Sequence, residues 1–336
     1  MRILRLIFAV SLLLAGLQAG AQGSAPASEA KASFDASHLR VELLVPGKEL
    51  YSGASNRAPL NRAGLYFKME PGWHIYWVNA GDSGEPPSMN WTLPAGITAT
   101  ALQFPAPVRL PLGPLMDYGY DNQVLFPFRF DVANDAKAGP AVLHAKVAWL
   151  VCASVCIPGK TELEVTRDVV RGPGTAVAEP PLFAEFIDDL PKPLPAADTA
   201  VFQATATGFR LAVETGQRET QAEFFPTDQT VVNNPAPQKL TPTAQGLVLE
   251  LQKDPNLTAN PARLNGVLEL AGGRNYQIAA ERGTVAAPTA APSFSLLRLA
   301  QIVGLAFLGG LLLNLMPCVF PVLFLKGLAL VQSGSE

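Results

Sequence analysis

Two cysteines four positions apart, Cys152 and Cys156, lie within a stretch where apolar and polar residues alternate. A period of two is typical of a β-strand with one buried face. In one straight strand these cysteines would lie about 13 Å apart, too far for a disulfide. A hairpin centred on Ser154 would bring them to about 4.5–5.5 Å. The alternation therefore predicts a hairpin whose tip carries the cysteine pair.

The charges along this stretch support one hairpin register, because opposite charges facing each other stabilise antiparallel strands. The expected partners are Cys152 with Cys156, Lys146 with Glu162, and His144 with Glu164. The tip, residues 153–155, lacks the glycine that tight turns prefer, so a wider turn is also possible. Both cysteines are expected on the polar, accessible side. Lys146 and Lys160 on that side are either thiolate-stabilising charges or ordinary solvated residues.

The rest of residues 38–170 consists of short β-prone runs separated by Gly, Pro, Asn and Asp, which is typical of a β-sandwich. Residues 94–122 hold too many prolines for central strands and are expected to form an ordered loop over the sheet. A second β-rich region, about 201–280, contains neither cysteine nor histidine. We interpret it as a structural or binding module.

A proline-rich boundary separates the two β regions. Its apolar residues fall at helical spacing after Pro180 and Pro181, which predicts one short helix packed on a neighbour. These apolar residues are Leu182, Phe183, Phe186, Ile187 and Leu190.

The two ends of the chain predict its compartment. Residues 1–21 have two arginines, an apolar run and small residues before a cut after Ala21, as in a secretory signal peptide. Near the other end, residues 302–325 carry no charge and are long enough for one transmembrane helix. Pro317 and Pro321 flank Cys318 there, and the freed backbone carbonyls would need neighbouring helices. We therefore expect a membrane domain that continues beyond Glu336.

The composition excludes two classes. With 25 basic and 28 acidic residues the net charge is −3, which gives no electrostatic case for nucleic acid. Three cysteines are too few for a disulfide scaffold. Outside the cytoplasm the pair Cys152 and Cys156 could be a structural staple, a metal clamp or a redox pair. A disulfide closing so small a ring gains little chain entropy, so we favour redox exchange.

The metal alternative rests on soft thiolate ligands, which suit Cu(I), and resembles periplasmic copper carriers of the Sco type. The candidate further ligands are His38, His74 and His144. A protease is a weaker alternative: GDSG at 81–84 also surrounds the serine of chymotrypsin-like enzymes, but no barrel precedes it to hold a triad. We interpret this segment as a turn.

Four segments together resemble the transmembrane thiol-disulfide reductases of the DsbD and ScsB type. They are GWHIYWVNAGDSGEPPSMNWTLPAGI, DYGYDNQVLFPF, WLVCASVCIPGK and GGLLLNLMPCVFPVLFLKGL. The resemblance implies a mainly β chain: signal peptide 1–21, immunoglobulin-like β-sandwich exchange domain 22–172, linker with a short helix 173–198, second β-sandwich-like domain 199–285, and first transmembrane helix 294–332. The remaining helices and a thioredoxin-like domain would lie outside this sequence.

The resemblance also implies roles for single residues. Cys152 and Cys156 would form the exchange pair, and Cys318 would be the first membrane cysteine of the relay. Asp117, Tyr118 and Tyr120 would form a cap loop that shields the pair. No cofactor is implied.

The implied partners form an electron relay. Cytoplasmic thioredoxin would reduce the membrane domain, which would reduce a thioredoxin-like redox domain. That domain would reduce this chain, and the chain would reduce disulfide-containing periplasmic clients. The alternative is a membrane-anchored periplasmic copper-binding or structural protein.

Overall fold

A computed structural model describes residues 31–53, 60–172, 174, 178–286, 296–314 and 324–329. The signal-peptide prediction for residues 1–21 and the prediction for Cys318 lie outside these described residues. The first β region contains twelve strands. They are β1 Ser33–Ala36, β2 Leu39–Leu44, β3 Glu49–Ser52, β4 Arg62–Met69, β5 His74–Gly81, β6 Ser88–Thr92, β7 Ile97–Ala99, β8 Val108–Leu112, β9 Leu115–Asp121, β10 Gln123–Val132, β11 Gly139–Cys152 and β12 Cys156–Arg171.

These twelve strands form two sheets. One has the order β1-β2-β4-β10-β7, and the other has the order β3-β12-β11-β5-β9-β8 with β6 also paired to β11. The sheets share one hydrophobic core. Phe67 of the first sheet meets Trp149 of the second edge to face, with ring centroids 6.0 Å apart. This is a β-sandwich, and the mainly β prediction is confirmed. The immunoglobulin-like assignment stays a prediction.

The proline-rich stretch 94–122 differs from the expected loop, because it supplies strands β7, β8 and β9. Strand β8 lies at the edge of its sheet, where Pro111 pairs with Met116. Proline lacks a backbone N–H, and at this position that N–H would point away from the sheet, so no hydrogen bond between strands is lost. The prolines Pro105 and Pro107 lie before this strand. The proline count was therefore evidence against a central strand but not against an edge strand.

The short helix of the boundary is confirmed as α1, Pro181–Asp188, with proline at its first turn. Phe183 and Phe186 are buried and join the core of the first β region. The second β region follows. Its strands are β13 Lys192–Pro193, β14 Thr199–Ala204, β15 Gly208–Glu214, β16 Ala222–Pro226, β17 Lys239–Pro242, β18 Gly246–Gln252, β19 Arg263–Leu270 and β20 Arg274–Arg282.

This second region is one sheet with the order β16-β19-β20-β14-β15-β18-β17, to which β13 also pairs through β20. It has its own hydrophobic core, built around residues such as Phe209 and Leu249. Two of its residues, Phe225 and Val267, instead join the core of the first β region. The chain up to Val285 accordingly forms one compact unit, and residues 286–336 are assigned to a second.

The second unit contains helix α2, Leu296–Asn314, and a helical stretch at 324–329. Over the residues that the structure describes, no helix reaches the length and apolarity needed to span a bilayer. Residues 315–323, which hold part of the charge-free run and Cys318, lie outside that description.

Candidate functional site

Strands β11 and β12 form the long hairpin that the alternation predicts. The register pairs Cys152 with Cys156, and the two sulfurs are bonded at 2.06 Å, with the Cα atoms 4.1 Å apart. The tip is three residues, closed by a bond from the Ala153 amide to the Val155 carbonyl at 3.0 Å. The hairpin and its predicted register are therefore confirmed.

The predicted charge pairs face each other as well, Lys146 with Glu162 and His144 with Glu164. Lys146 Nζ lies 3.4 Å from the Glu162 carboxylate, and His144 Nε2 lies 3.2 Å from it. Because a strand rises about 3.3 Å per residue, Lys146 lies about 20 Å from Cys152 along its strand and Lys160 about 13 Å from Cys156. Neither lysine is placed to stabilise a thiolate directly.

The two cysteines differ in access. Cys152 is fully buried and packs with Tyr76, Ala80 and Leu150, whereas Cys156 is exposed. The expectation that both cysteines lie on an accessible face is therefore wrong for Cys152. Strand β5 explains the burial, because it pairs with the end of β11 through His74 and Cys152 and covers that side. Only Cys156 is open to an incoming thiolate.

Cross-strand partners in a sheet project to the same face, so the pairing defines the surroundings of the disulfide. The row runs from Cys156 through Cys152 and His74 to Asp121. Tyr76 lies two residues beyond His74 on the same face, opposite Gly119. Gly119 is required there, since a Cβ would lie 2.1 Å from the Ile75 carbonyl oxygen.

Tyr76 contacts the disulfide directly. Its hydroxyl oxygen lies 3.6 Å from Cys156 Sγ, within hydrogen-bond distance for sulfur. Burial, and secondarily the nearby Asp117 carboxylate, raise the pKa of Tyr76 to about 12. The phenol therefore keeps its proton at neutral pH and can donate a hydrogen bond to a sulfur that becomes negative.

His74 lies beside Cys152 with its Nε2 buried and without a hydrogen-bond partner among the described atoms. Its ring meets Tyr76 edge to face, with centroids 5.3 Å apart. Burial lowers the pKa of His74, and the Asp117 and Asp121 carboxylates oppose that shift without overcoming it. His74 therefore stays neutral at neutral pH.

Asp117 is fully buried near the same face. Its carboxylate accepts from the Ser83 amide at 2.9 Å and from Ser83 Oγ at 2.9 and 3.0 Å. Burial raises the pKa of Asp117, while the Ser83 hydrogen bonds and His74 pull it down. The residue thus ties the 81–84 turn to strand β9.

The predicted cap needs correction for both tyrosines. Tyr120 pairs with Ile75 in the adjacent strand, so it projects to the core face, away from the disulfide. Its ring packs on Phe126 at 5.4 Å, and its hydroxyl donates to the Pro105 carbonyl at 2.7 Å. Tyr118 projects the same way and lies edge-on to Phe225, with centroids 5.3 Å apart. Asp117 alone of the three lies near the disulfide face, and it does so from a strand.

The candidate metal ligands are not brought together. His38 stacks on Trp73 and bonds to Glu70, and His144 is eight residues along the strand from Cys152. Only His74 adjoins the pair. Within the described part of the chain, no three metal-ligating side chains cluster.

The sequence alone suggests His74 as a candidate metal ligand and does not single out Tyr76. The signal was available in the run WHIYWVN, where His74 and Tyr76 share one face of a strand. What was missing was the pairing of that strand with the hairpin. No local pattern specifies this pairing, because the paired residues His74 and Cys152 are far apart in sequence.

The disulfide face continues along the hairpin as an open groove of about 470 Å³. The groove is lined by Glu85, Pro86, Ser88, Ala148, Trp149, Leu150, Pro158, Gly159 and Lys160. The pairs Leu150 with Pro158 and Cys152 with Cys156 are successive same-face pairs of the ladder, so the groove starts next to the disulfide.

Residues 41–168 match the family described as "Thiol:disulfide interchange protein DsbD, N-terminal". No curated protein matches the chain. Among solved structures, the N-terminal periplasmic domain of ScsB from Proteus mirabilis matches with a TM-score of 0.55 at 17% identity, covering 76% of this chain and 98% of that chain. At that identity the likeness shows the fold, and it extends over both β regions.

Two further matches carry no argument because their TM-scores are low. The major pilin subunit BcpA of Bacillus cereus matches with a TM-score of 0.22 at 8% identity, covering 76% of this chain and 67% of that chain. The periplasmic chaperone SfaE matches with a TM-score of 0.17 at 12% identity, covering 72% of this chain and 100% of that chain.

Proposed function

We propose that this chain reduces disulfide-bonded client proteins through the Cys152 and Cys156 pair, because residues 41–168 match the family of N-terminal domains of DsbD-type thiol:disulfide interchange proteins. The observation that carries the proposal is the asymmetry of the disulfide. One sulfur, on Cys156, is exposed at a hairpin tip next to a hydrogen-bond donor, and the other is fully buried. A structural staple has no need of an exposed sulfur, whereas an exchange pair does.

The exchange proceeds in two steps. In the reduced protein the Cys156 thiolate attacks one sulfur of the client disulfide, forming a mixed disulfide, and the other client sulfur leaves as a thiolate. The Cys152 thiolate then attacks the Cys156 sulfur, forming the internal disulfide and freeing the second client thiolate. Two electrons pass to the client, and the two protons lost by the protein's thiols balance the two taken up by the client.

Cys156 is the attacking cysteine because it is the one that a client can reach. Tyr76 stabilises its thiolate by donating a hydrogen bond, and Cys152 resolves the mixed disulfide from the buried side. The neighbouring groove offers space for the client chain around its cysteine.

Reducing equivalents reach the pair from a thioredoxin-like redox domain, either on the same polypeptide or on a separate protein. That domain is in turn reduced by a membrane domain with Cys318 as its first cysteine, supplied by cytoplasmic thioredoxin. The charge-free run at 302–325 supports anchoring in a bacterial inner membrane, and the signal-like residues 1–21 support a periplasmic position for the β regions.

The test is a trapping experiment with single cysteine variants. Cys152→Ala leaves the exposed nucleophile without its resolving partner, so we expect a stable mixed disulfide with an oxidised periplasmic client on a non-reducing gel. The matched variant Cys156→Ala leaves only the buried cysteine of the pair and should trap several-fold less through it. Equal trapping by both variants would contradict the assignment of Cys156. A wild-type disulfide that resists a graded dithiothreitol series in the folded protein would make it a staple.

One observation favours a second candidate, Cu(I) binding by the reduced protein. His74 Nε2 is buried beside Cys152 without a partner among the described atoms, and thiolate with imidazole suits Cu(I). Titrating the reduced chain with Cu(I) against a competing chelator would test it. Tight stoichiometric binding lost in His74→Ala but kept in His144→Ala supports copper, whereas binding that the chelator abolishes in every variant removes it.

A further inference from the structure

The second β region packs against the strand that carries Tyr76. Phe225 of β16 lies edge-on to Trp77 and to Tyr118, with centroids 6.4 and 5.3 Å away, and all three rings are almost fully buried. Trp77 is the residue directly after Tyr76 in β5. The interface between the two β regions thus lies across the sheet from the disulfide face.

Polar contacts from the second region then hold the segment that follows Tyr76. Asn79 Nδ2 donates to the Pro226 carbonyl at 2.7 Å, and Asn234 Nδ2 donates to Asp82 Oδ1 at 2.8 Å. Arg109 also crosses, donating to Glu223 at 2.9 Å and to the Asn234 carbonyl at 2.7 Å. Asn79 and Asn234 are buried, so water cannot readily replace these bonds.

The same turn, residues 81–84, is bound to strand β9 on its other side. Asp82 exchanges two hydrogen bonds with Met116, its amide donating to the carbonyl at 3.1 Å and its Oδ2 accepting from the amide at 2.8 Å. Gly81 has a φ of +90°, and a Cβ there would lie 2.4 Å from the Met116 carbonyl oxygen. The turn therefore has one close fit against β9, which only glycine permits.

The turn also supports the ring of Tyr76. Gly84 lies so close that a Cβ would be 2.2 Å from Tyr76 Cζ. Next to it Ser83 is held by Asp117 through three contacts. The charged and titratable groups facing the ring are Asp117 from β9 and His74 from its own strand. A displaced turn would move the surface against which the phenol rests.

We propose that the second β region is a positioning element for the redox pair: through the Asn234 to Asp82 bond it holds the 81–84 turn under Tyr76, and so keeps the tyrosine hydroxyl at the Cys156 sulfur. The inference rests on the proposed function, since it concerns the same sulfur. Tyr76 donates a hydrogen bond without transferring its proton, and Asn234 acts only through the turn. The segment GDSG at 81–84 thus has the role of supporting the ring of Tyr76, which is unrelated to protease chemistry.

The experiment measures alkylation of Cys156 by iodoacetamide in the reduced full chain across pH, followed by mass spectrometry of the peptide that carries it. Tyr76→Phe removes the hydrogen bond from the phenol to the Cys156 thiolate. We expect this loss to raise the pH midpoint of the alkylation profile by about one unit. Tenfold fewer thiolates, partly offset by their greater nucleophilicity, give a rate about threefold lower below the midpoint.

Asn234→Asp is the decisive variant, because it keeps the volume of the side chain but sets a carboxylate against Asp82. We expect a slowing of two- to threefold and an upward shift of the pH midpoint, both toward the values of Tyr76→Phe. Adding Asp82→Asn to Asn234→Asp again places an amide donor opposite a carboxylate acceptor, with the two roles exchanged, and should restore the alkylation rate. Asn275→Ala is the matched control, since Asn275 is similarly buried in the second region but points to the Asp189 carbonyl.

A double variant distinguishes action through Tyr76 from general damage. If Asn234 acts through the phenol, Asn234→Asp adds nothing in the Tyr76→Phe background. Additive slowing, no slowing, or slowing shared by Asn275→Ala would each overturn the positioning role while leaving the proposed exchange intact. A wild-type pair that thiols cannot reduce would instead overturn the proposed function itself.

Discussion

At the scale of single residues, the site contains a buried neutral histidine, His74, whose effect on the free energy of unfolding depends on pH. Burial lowers the pKa of His74 below its ordinary 6.5, with Asp117 and Asp121 opposing. As the pH falls below 6.5, His74 takes up a proton in the unfolded chain but not in the folded chain. The stability that is present above pH 6.5 is therefore lost as the pH falls through the lower pKa that His74 has in the folded protein. The slope is at most about 1.4 kcal/mol per pH unit.

We therefore expect His74→Gln to flatten the pH dependence of stability. Between pH 7 and pH 5 the free energy of unfolding of the oxidised protein should fall less in the variant than in the wild type, as measured by urea denaturation. His144→Gln removes a partly exposed histidine from the same hairpin and serves as the control. Identical slopes for wild type and His74→Gln would contradict the buried neutral state.

Asp117 acts in the opposite direction on the same face. Its pKa is raised by burial, so its contribution is present below about 3.8 and is lost as pH rises through the folded value. The two residues therefore change the free energy of unfolding in opposite directions as the pH rises. The Asp117 carboxylate also holds the 81–84 turn in place, since both the amide and the hydroxyl of Ser83 donate hydrogen bonds to it.

At the scale of elements, the hairpin could be predicted and its neighbours could not. Alternation is a local signal. A period of two, with the facing charges of Lys146 and Glu162 six pairs away, was enough to predict that Cys152 pairs with Cys156. The face of Tyr118 and Tyr120 depends instead on how β9 pairs with β5, across an irregularity between Tyr76 and Gly81. That pairing is non-local, so the sequence alone does not reveal that Tyr118 and Tyr120 project into the core.

The same limit applies to the edge strand β8. Proline density was a sound reason to exclude a central strand, but whether a strand lies at an edge is a property of the whole sheet. The short helix α1 was predictable because its apolar spacing and its starting proline are both local.

At the scale of the whole molecule, the two β regions share part of a core. Phe225 and Val267 belong by sequence to the second region but are buried with the residues of the first. Regions that share a buried core open together, because neither can expose its share without the other losing contacts. The second region is thus coupled to the first through packing as well as through the Asn234 bond.

This coupling predicts how the chain up to Val285 unfolds. Phe225→Ala removes the ring between Trp77 and Tyr118 and should cost about 3–5 kcal/mol. Because the lost contacts are those that join the regions, we expect calorimetry to resolve two transitions where the wild type shows one. Phe225→Ala should also raise the pH midpoint for alkylation of Cys156 in the reduced protein. The control is Phe209→Ala, because Phe209 is equally buried but lies only in the second core; it should lower stability by a similar amount without raising that midpoint. A single transition in Phe225→Ala, with the cysteine profile unchanged, would mean that the two regions are joined mainly by polar contacts and that Phe225 only fills space between them.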